Sequence, residues 1–150
     1  MTDDFNRERI AQATGDRSAT SDQILWGFKV IKMIISADEL HESEAAGLRA
    51  TMQQFGASAD MIGLIEAFDT KSVRLNQLLE VEAASHGLKR LIYAAVVVAW
   101  ADGNYSAAER AAVAEVASYY KISPSTVSAI EHLVTAEREL GSLRLGLLAD

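Results

Sequence analysis

The sequence predicts an all-α fold, a single-domain bundle of about seven helices. Three observations lead to this prediction. The chain has 150 residues, of which 49% are apolar, enough for one domain with a sizeable core. Apolar residues recur every three or four positions, and no segment of useful length alternates apolar with polar residues. The chain also aligns with itself, which indicates two related helical repeats.

The internal similarity is clearest at an offset of 65 residues. FGASADMIGLIEAF, residues 55–68, then lies over YKISPSTVSAIEHL, residues 120–133, and Glu44 falls on Glu109. One residue of slippage aligns the pair Ala-Asp ending at Asp38 with the pair ending at Asp102. The sequence therefore predicts a domain over residues 21–140. It contains repeat one at about 22–70, a linking helix at 71–84 and repeat two at about 86–139.

The elements of the first repeat follow a polar N-terminal segment. Residues 1–20 lack the apolar stretch of a signal peptide and are expected to be weakly ordered. Two helices come next, because apolar residues share one face at helical spacing. They are Ile24, Phe28, Ile31 and Ile35 in the first helix, and Leu48, Met52 and Phe55 in the second. The linking helix repeats the spacing at Leu75, Leu78 and Leu79.

The second repeat opens with a predicted helix at residues 86–100, which overlaps an apolar run at residues 91–101. The eleven residues of this run are about half of what a membrane span needs, so we expect a buried helix at the centre of the bundle, touched on all sides. The tail, residues 141–150, has no cap and is expected to fray or to dock its leucines on the surface. The later helices repeat the apolar spacing at Val113, Val116, Tyr120, Val127, Ile130 and Val134.

Capping residues mark three helix starts. Ser58 precedes one helix, and Ser123 precedes another that has Pro124 at its first position. Ser106 with Glu109 three residues later forms a capping box, in which each side chain binds the backbone N–H of the other residue. These signals place helix starts at equivalent points of the two repeats.

Composition and motifs exclude several classes of function. The net charge of −7 and the pI of about 4.9 make nucleic-acid binding a poor fit. The absence of cysteine excludes disulfides, thiolate zinc sites and iron-sulfur clusters. No G-x-S-x-G, G-x-x-x-x-G-K-[ST] or G-x-G-x-x-G motif is present, so we expect no enzyme activity. We expect a cytoplasmic protein without a transmembrane segment.

The acidic loops of the two repeats are the predicted metal site. Asp38 and Glu44 in one loop and Asp102 and Glu109 in the other could share a divalent cation if the repeats pack about a pseudo-two-fold axis. Carboxylate ligands favour calcium, magnesium or manganese. The imidazole of His41 could also bind zinc, which is the less favoured ion. The second loop is not an EF-hand, which needs glycine and glutamate where Ala107 and Val113 stand. Helix capping alone is the alternative explanation of these carboxylates.

Two segments carry a family resemblance. AWADGNYSAAERAAVAEVASYYKIS, residues 99–123, and the weaker echo SADELHESEAAGLRATMQQFGAS, residues 36–58, resemble the TerB-type tellurite-resistance domain. The similarity covers about residues 22–140. It implies a seven-helix domain of two related halves whose acidic motif residues bind metal, here Asp102, Glu109, Asp38 and Glu44. The first copy departs from the motif, because Glu39 replaces its glycine and its Asp to Glu spacing is six rather than seven.

The resemblance also implies a role. The family is associated with responses to tellurite and other chemical stress, in assemblies with other Ter-type or membrane-associated proteins, so a location at the inner membrane through partners is expected. The alternative is an acidic protein-interaction scaffold that docks on a basic or membrane-associated partner. Hydrolysis at a carboxylate-bound metal is a third reading, and the least favoured. The oligomeric state stays open at this point.

Overall fold

In a computed structural model of the protein, residues 21–81 and 87–149 are described. Within these ranges the chain forms seven α-helices and no strand, which confirms the predicted all-α class. A short 3-10 turn, Trp100–Asp102, follows the fifth helix. The helices are α1 Ser21–Ile35, α2 Glu42–Gln54, α3 Ala59–Ala67, α4 Leu75–Val81, α5 Leu88–Ala99, α6 Ala107–Tyr119 and α7 Pro124–Leu148.

Serine caps begin three of these helices, as the sequence predicts. The Ser58 hydroxyl accepts the N–H of Met61 at 3.1 Å at the start of α3. The Ser106 hydroxyl accepts the N–H of Glu109 at 3.1 Å at the start of α6. Ser123 caps α7 in the same way, with Pro124 at the first helical position. Each cap satisfies a backbone donor that the helix itself leaves unpaired.

Helix α5 is the centre of the bundle and contacts α1, α2, α6 and α7. Its Ala95, Val96 and Ala99 are completely buried, as expected for a helix with little polar surface. Val97 is 37% exposed, so the expectation that this helix is touched on all sides is wrong on the side where Val97 lies. The predicted core positions are buried at Phe28, Ile31, Ile35, Leu48, Met52, Val113, Val116, Val127 and Val134, and partly buried at Ile24, Phe55, Tyr120 and Ile130.

A buried lysine joins α1 to the end of α3. The Lys32 ammonium donates to the carbonyl oxygens of Ile65, Glu66 and Phe68 at 2.8, 3.0 and 2.7 Å. These carbonyls lie at the C-terminal end of α3, where few backbone N–H groups remain to pair with them and the helix dipole attracts a cation. Burial lowers the pKa of Lys32, against the raising effect of nearby Glu66 and Asp69.

The boundaries differ from the predicted ones in two places. Helix α4 begins at Leu75 rather than at residue 71, because the preceding residues form a turn in which Asp69 accepts the N–H of Lys71 at 2.9 Å. Residues 141–148 continue α7 rather than fraying, and their leucines remain exposed instead of docking. The expected weak order of residues 1–20 and the end of the linking helix at 82–84 lie outside the described residues. None of the described helices combines the length and apolarity that a membrane span requires.

Candidate metal site

The starts of α2 and α6 meet next to the turn that follows α5. Gly47 makes this meeting possible, because a Cβ built at that position would stand 2.7 Å from the Cβ of Ala101. Real Cβ atoms do not approach this closely, so only glycine lets α2 pack directly on the turn. The contact holds Glu44, one helical turn before Gly47, close to Asp102.

Two glutamates are buried at this junction. Glu44 and Glu109 occupy the third position of α2 and α6 and are 1% and 3% exposed. In each carboxylate Oε1 accepts a backbone N–H, from His41 at 3.3 Å and from Ser106 at 2.9 Å. Helix capping therefore explains one oxygen of each glutamate.

The second oxygen of each glutamate has no such explanation. Oε2 of Glu44 and Oε2 of Glu109 are both buried, and among the described residues no N–H or hydroxyl group donates to either oxygen. The two carboxyls can pair only with each other, by sharing a proton. A buried carboxylate oxygen without a partner is costly, and such atoms in native proteins usually indicate a proton, a water or an ion. The orphaned oxygens are the observation that helix capping alone leaves unexplained.

The electrostatics of the junction point the same way. Burial raises the pKa of Glu44 to about 8, assisted by a hydrogen bond with the Glu109 side chain and by the negative charges of Glu109 and Asp102, while the His41 N–H acts in the opposite direction. The two buried carboxyls are thus close enough to disfavour simultaneous ionisation. A proton relieves this repulsion, and so would a bound cation.

Three side chains at the junction have the spacing of metal ligands. His41, Glu44 and Asp102 each place one nitrogen or oxygen atom within 4.8 Å of the other two. Two atoms bound to the same ion at 2.0 to 2.6 Å lie no farther apart than roughly 4 to 5 Å, so one ion could contact all three. Glu44 is buried, whereas His41 and Asp102 are exposed, so the group opens to solvent on one side.

The loop geometry positions Asp102. Its Oδ1 accepts the N–H of Asn104 at 2.9 Å, and Gly103 between them has a φ of 81°, which favours glycine. Tyr105 anchors the same loop to the core at 6% exposure, where burial raises the pKa of its hydroxyl. Asp102 therefore extends from a turn that is fixed at both ends.

The nearest basic residue in sequence does not neutralise these acids. Arg110 follows Glu109, yet its guanidinium lies 4.3 Å from the centroid of the Tyr105 ring. It also pairs with Glu131 of α7 at 3.0 Å. The positive charge of Arg110 thus joins α6 to α7 and is engaged away from the buried carboxyls.

The structure brings together three of the four residues predicted to bind metal. Glu44 and Asp102 belong to the three-residue group, and Glu109 lies against Glu44. Asp38 is exposed in the loop before α2 and is not a member of that group, in which His41 is the third residue. The first loop is one residue shorter and has Glu39 where the second has Gly103, so the two aspartates are not placed equivalently. The sequence signal for His41 was its position among carboxylates at a helix start.

The donor set fits a divalent cation. It offers two carboxylates and one imidazole, and the adjacent Glu109 adds a third carboxyl whose Oε2 is unpartnered. Oxygen donors suit magnesium, calcium and manganese, and the imidazole extends the range to zinc.

Comparisons with known proteins agree with the architecture. The family model for the tellurite resistance protein TerB matches residues 28–132, which include all the residues of the junction. A crystal structure of a tellurite resistance protein from Nostoc punctiforme PCC 73102 has a similar fold, with a TM-score of 0.79 and 19% sequence identity. The alignment covers 99% of this chain and 94% of that one. No curated protein matches the chain.

Proposed function

The chain belongs to the TerB tellurite resistance family, and on that premise we propose that it binds a divalent cation where α2 meets the turn after α5 and the start of α6. In this proposal the protein is a non-enzymatic component of the response to tellurite and other chemical stress. The observation that carries the proposal is the pair of buried, unpartnered oxygens on Glu44 and Glu109 beside His41 and Asp102.

Each residue has a distinct proposed task. Glu44, Asp102 and His41 would contact the ion, since their ligand atoms lie within 4.8 Å of one another. Glu109 would contribute negative charge from the buried side, because its carboxyl adjoins that of Glu44. The ion would supply positive charge that the buried carboxyls lack, and would link α2 to the loop before α6.

Burial argues against the acidic-scaffold alternative. A docking surface requires carboxylates that a partner can reach, whereas Glu44 and Glu109 are 1% and 3% exposed. A binding role also agrees with the absence of a nucleophile or nucleotide motif from the sequence. Cytoplasmic location and association with other Ter-type or membrane-associated proteins are part of the proposal through the family.

Thermal unfolding with and without added ion tests the proposal. We expect manganese, zinc, calcium or magnesium to raise the Tm of the metal-free protein, because a ligand that binds only the folded state stabilises it. Glu44→Gln and Asp102→Asn should each reduce the increment strongly. Glu42→Gln, the matched control on the same helix, is exposed and outside the group and should keep it.

Two results would count against the metal site. One is a wild-type Tm that none of the four ions changes at saturating concentration. The other is an increment that persists unchanged in Glu44→Gln and Asp102→Asn, since the ion would then bind elsewhere. Asp38→Asn measured in parallel determines whether this exposed aspartate joins the ligand set when an ion is present.

A further inference from the structure

Helix α7 has two apolar sides, of which only one is covered. Val127 and Val134 are buried against the body of the protein. On the opposite side of the helix lie four leucines that are 51% to 72% exposed, in line with two exposed alanines. This leucine stripe consists of Ala129, Leu133, Ala136, Leu140, Leu143 and Leu147.

The spacing of the leucine stripe is that of a coiled coil. Its members are separated alternately by four and three residues, so they fill consecutive a and d positions of a heptad repeat. The stripe extends over residues 129–147, about 27 Å of helix. A seam of this kind is buried in solution by the equivalent seam of another helix.

The charges beside the leucine stripe indicate which helix covers it. Glu139 occupies a g position and Arg144 the following e position, the two sites that face each other across a parallel pair of identical helices. An antiparallel pair would instead have to use Glu137, whose carboxylate already accepts the Tyr93 hydroxyl at 2.9 Å. The segment has no excess of basic residues, and the chain carries a net charge of −7, which disfavours an anionic lipid surface.

We propose that the leucine stripe pairs with that of a second copy of this chain in a parallel two-stranded coiled coil. Each α7 keeps Val127 and Val134 on its own body, so the two bodies lie on opposite outer sides of the pair. Glu139 of each copy then pairs with Arg144 of the other. Leu145 and Leu148 lie off the stripe and do not enter the seam.

Sedimentation equilibrium on the full chain tests this pairing. Because the stripe is less than three heptads long, we expect a dimer with a micromolar Kd, which would be the predominant species at about 200 µM chain. Leu140→Glu should return the mass to the 16.2 kDa of one chain. Leu145→Glu is the matched control, since Leu145 is 75% exposed, against 62% for Leu140, and lies on the same helix but off the stripe. Both positions are exposed, and circular dichroism should show unchanged helix content.

A charge exchange tests the orientation. Glu139→Arg alone should weaken the dimer about tenfold, because it places like charges across the seam at two symmetry-related points. Adding Arg144→Glu should restore the affinity. A wild type that stays monomeric at about 200 µM overturns the proposal, and binding of that monomer to phosphatidylglycerol vesicles would assign the stripe to a lipid surface. Equal loss of the dimer in Leu140→Glu and Leu145→Glu, or no recovery in the double charge variant, also overturns it.

Discussion

The buried Glu44 carboxyl makes the stability of the metal-free protein depend on pH in a defined direction. Its pKa is about 8 in the folded protein, against 4.5 for the ordinary side chain. The folded state therefore holds this proton more tightly than the unfolded state does. The stabilisation is fully present below pH 4.5 and is lost as the pH rises to about 8.

The size of the effect follows from linkage. Across this interval the free energy of unfolding should fall by about 1.4 kcal/mol per pH unit, roughly 5 kcal/mol in total. Glu44→Gln cannot titrate, and its amide still offers an oxygen to the His41 N–H. At pH 8 without added ion the variant should therefore be the more stable protein, although the substitution removes a buried native side chain.

Urea unfolding of both proteins in chelator, at intervals from pH 4.5 to 9, measures the effect. Titrating groups away from the junction are common to the two proteins, so the difference between their free energies of unfolding reports the Glu44–Glu109 pair. Glu42, two residues before Glu44, is exposed, so the free energy of unfolding of Glu42→Gln should follow that of the wild type at every pH. Parallel curves for the wild type and Glu44→Gln would refute the assignment of a raised pKa to this carboxyl.

Three further substitutions test contacts that hold the helices in place, two of them at the junction. Gly47→Ala should lower the free energy of unfolding by about 1 to 3 kcal/mol in a urea titration, because the new Cβ would clash with Ala101. Gly63→Ala, on an open helix surface, should leave the free energy of unfolding unchanged or raise it. Lys32→Met should lower the free energy of unfolding by about 2 to 4 kcal/mol, because the Glu66 and Phe68 carbonyls lose their donor while Ile65 keeps the N–H of Phe68. Exposed Lys71→Met should change the free energy of unfolding little. Ser106→Ala should lower the free energy of unfolding by about 1 kcal/mol and reduce the ion-dependent rise in Tm, because the cap that orients the start of α6 is lost. An ion-dependent rise that is the same in Ser106→Ala and the wild type would show that ion binding does not depend on this cap.

The parts of the fold that depend on neighbouring residues could be predicted from the sequence. The caps at Ser58, Ser106 and Ser123 are local chemistry, since each serine needs only the N–H three residues later. The core faces of α1 and α2 follow from helical periodicity alone. The burial and hydrogen bonding of Lys32 could not be predicted in this way, because its partners lie more than thirty residues away at the end of another helix.

Only part of the candidate site could be predicted from the sequence, for the same reason. Glu44 and Glu109 share a local pattern, the third position of a helix, so alignment of the two loops found them. Whether Asp38 or His41 completes the group depends on the path of a loop that is one residue shorter than its counterpart. The close approach at Gly47 is a tertiary contact that no local sequence motif predicts.

The placement of Arg110 has a consequence for how the junction behaves. An arginine that neutralised Glu109 would give the junction a fixed charge under all conditions. Arg110 is instead held by Tyr105 and Glu131, so the charge of the junction is set by what the surrounding solution supplies. With the proposed cation, the buried carboxyls would be balanced by a group that comes from solution and can leave again, which a permanent internal ion pair would prevent.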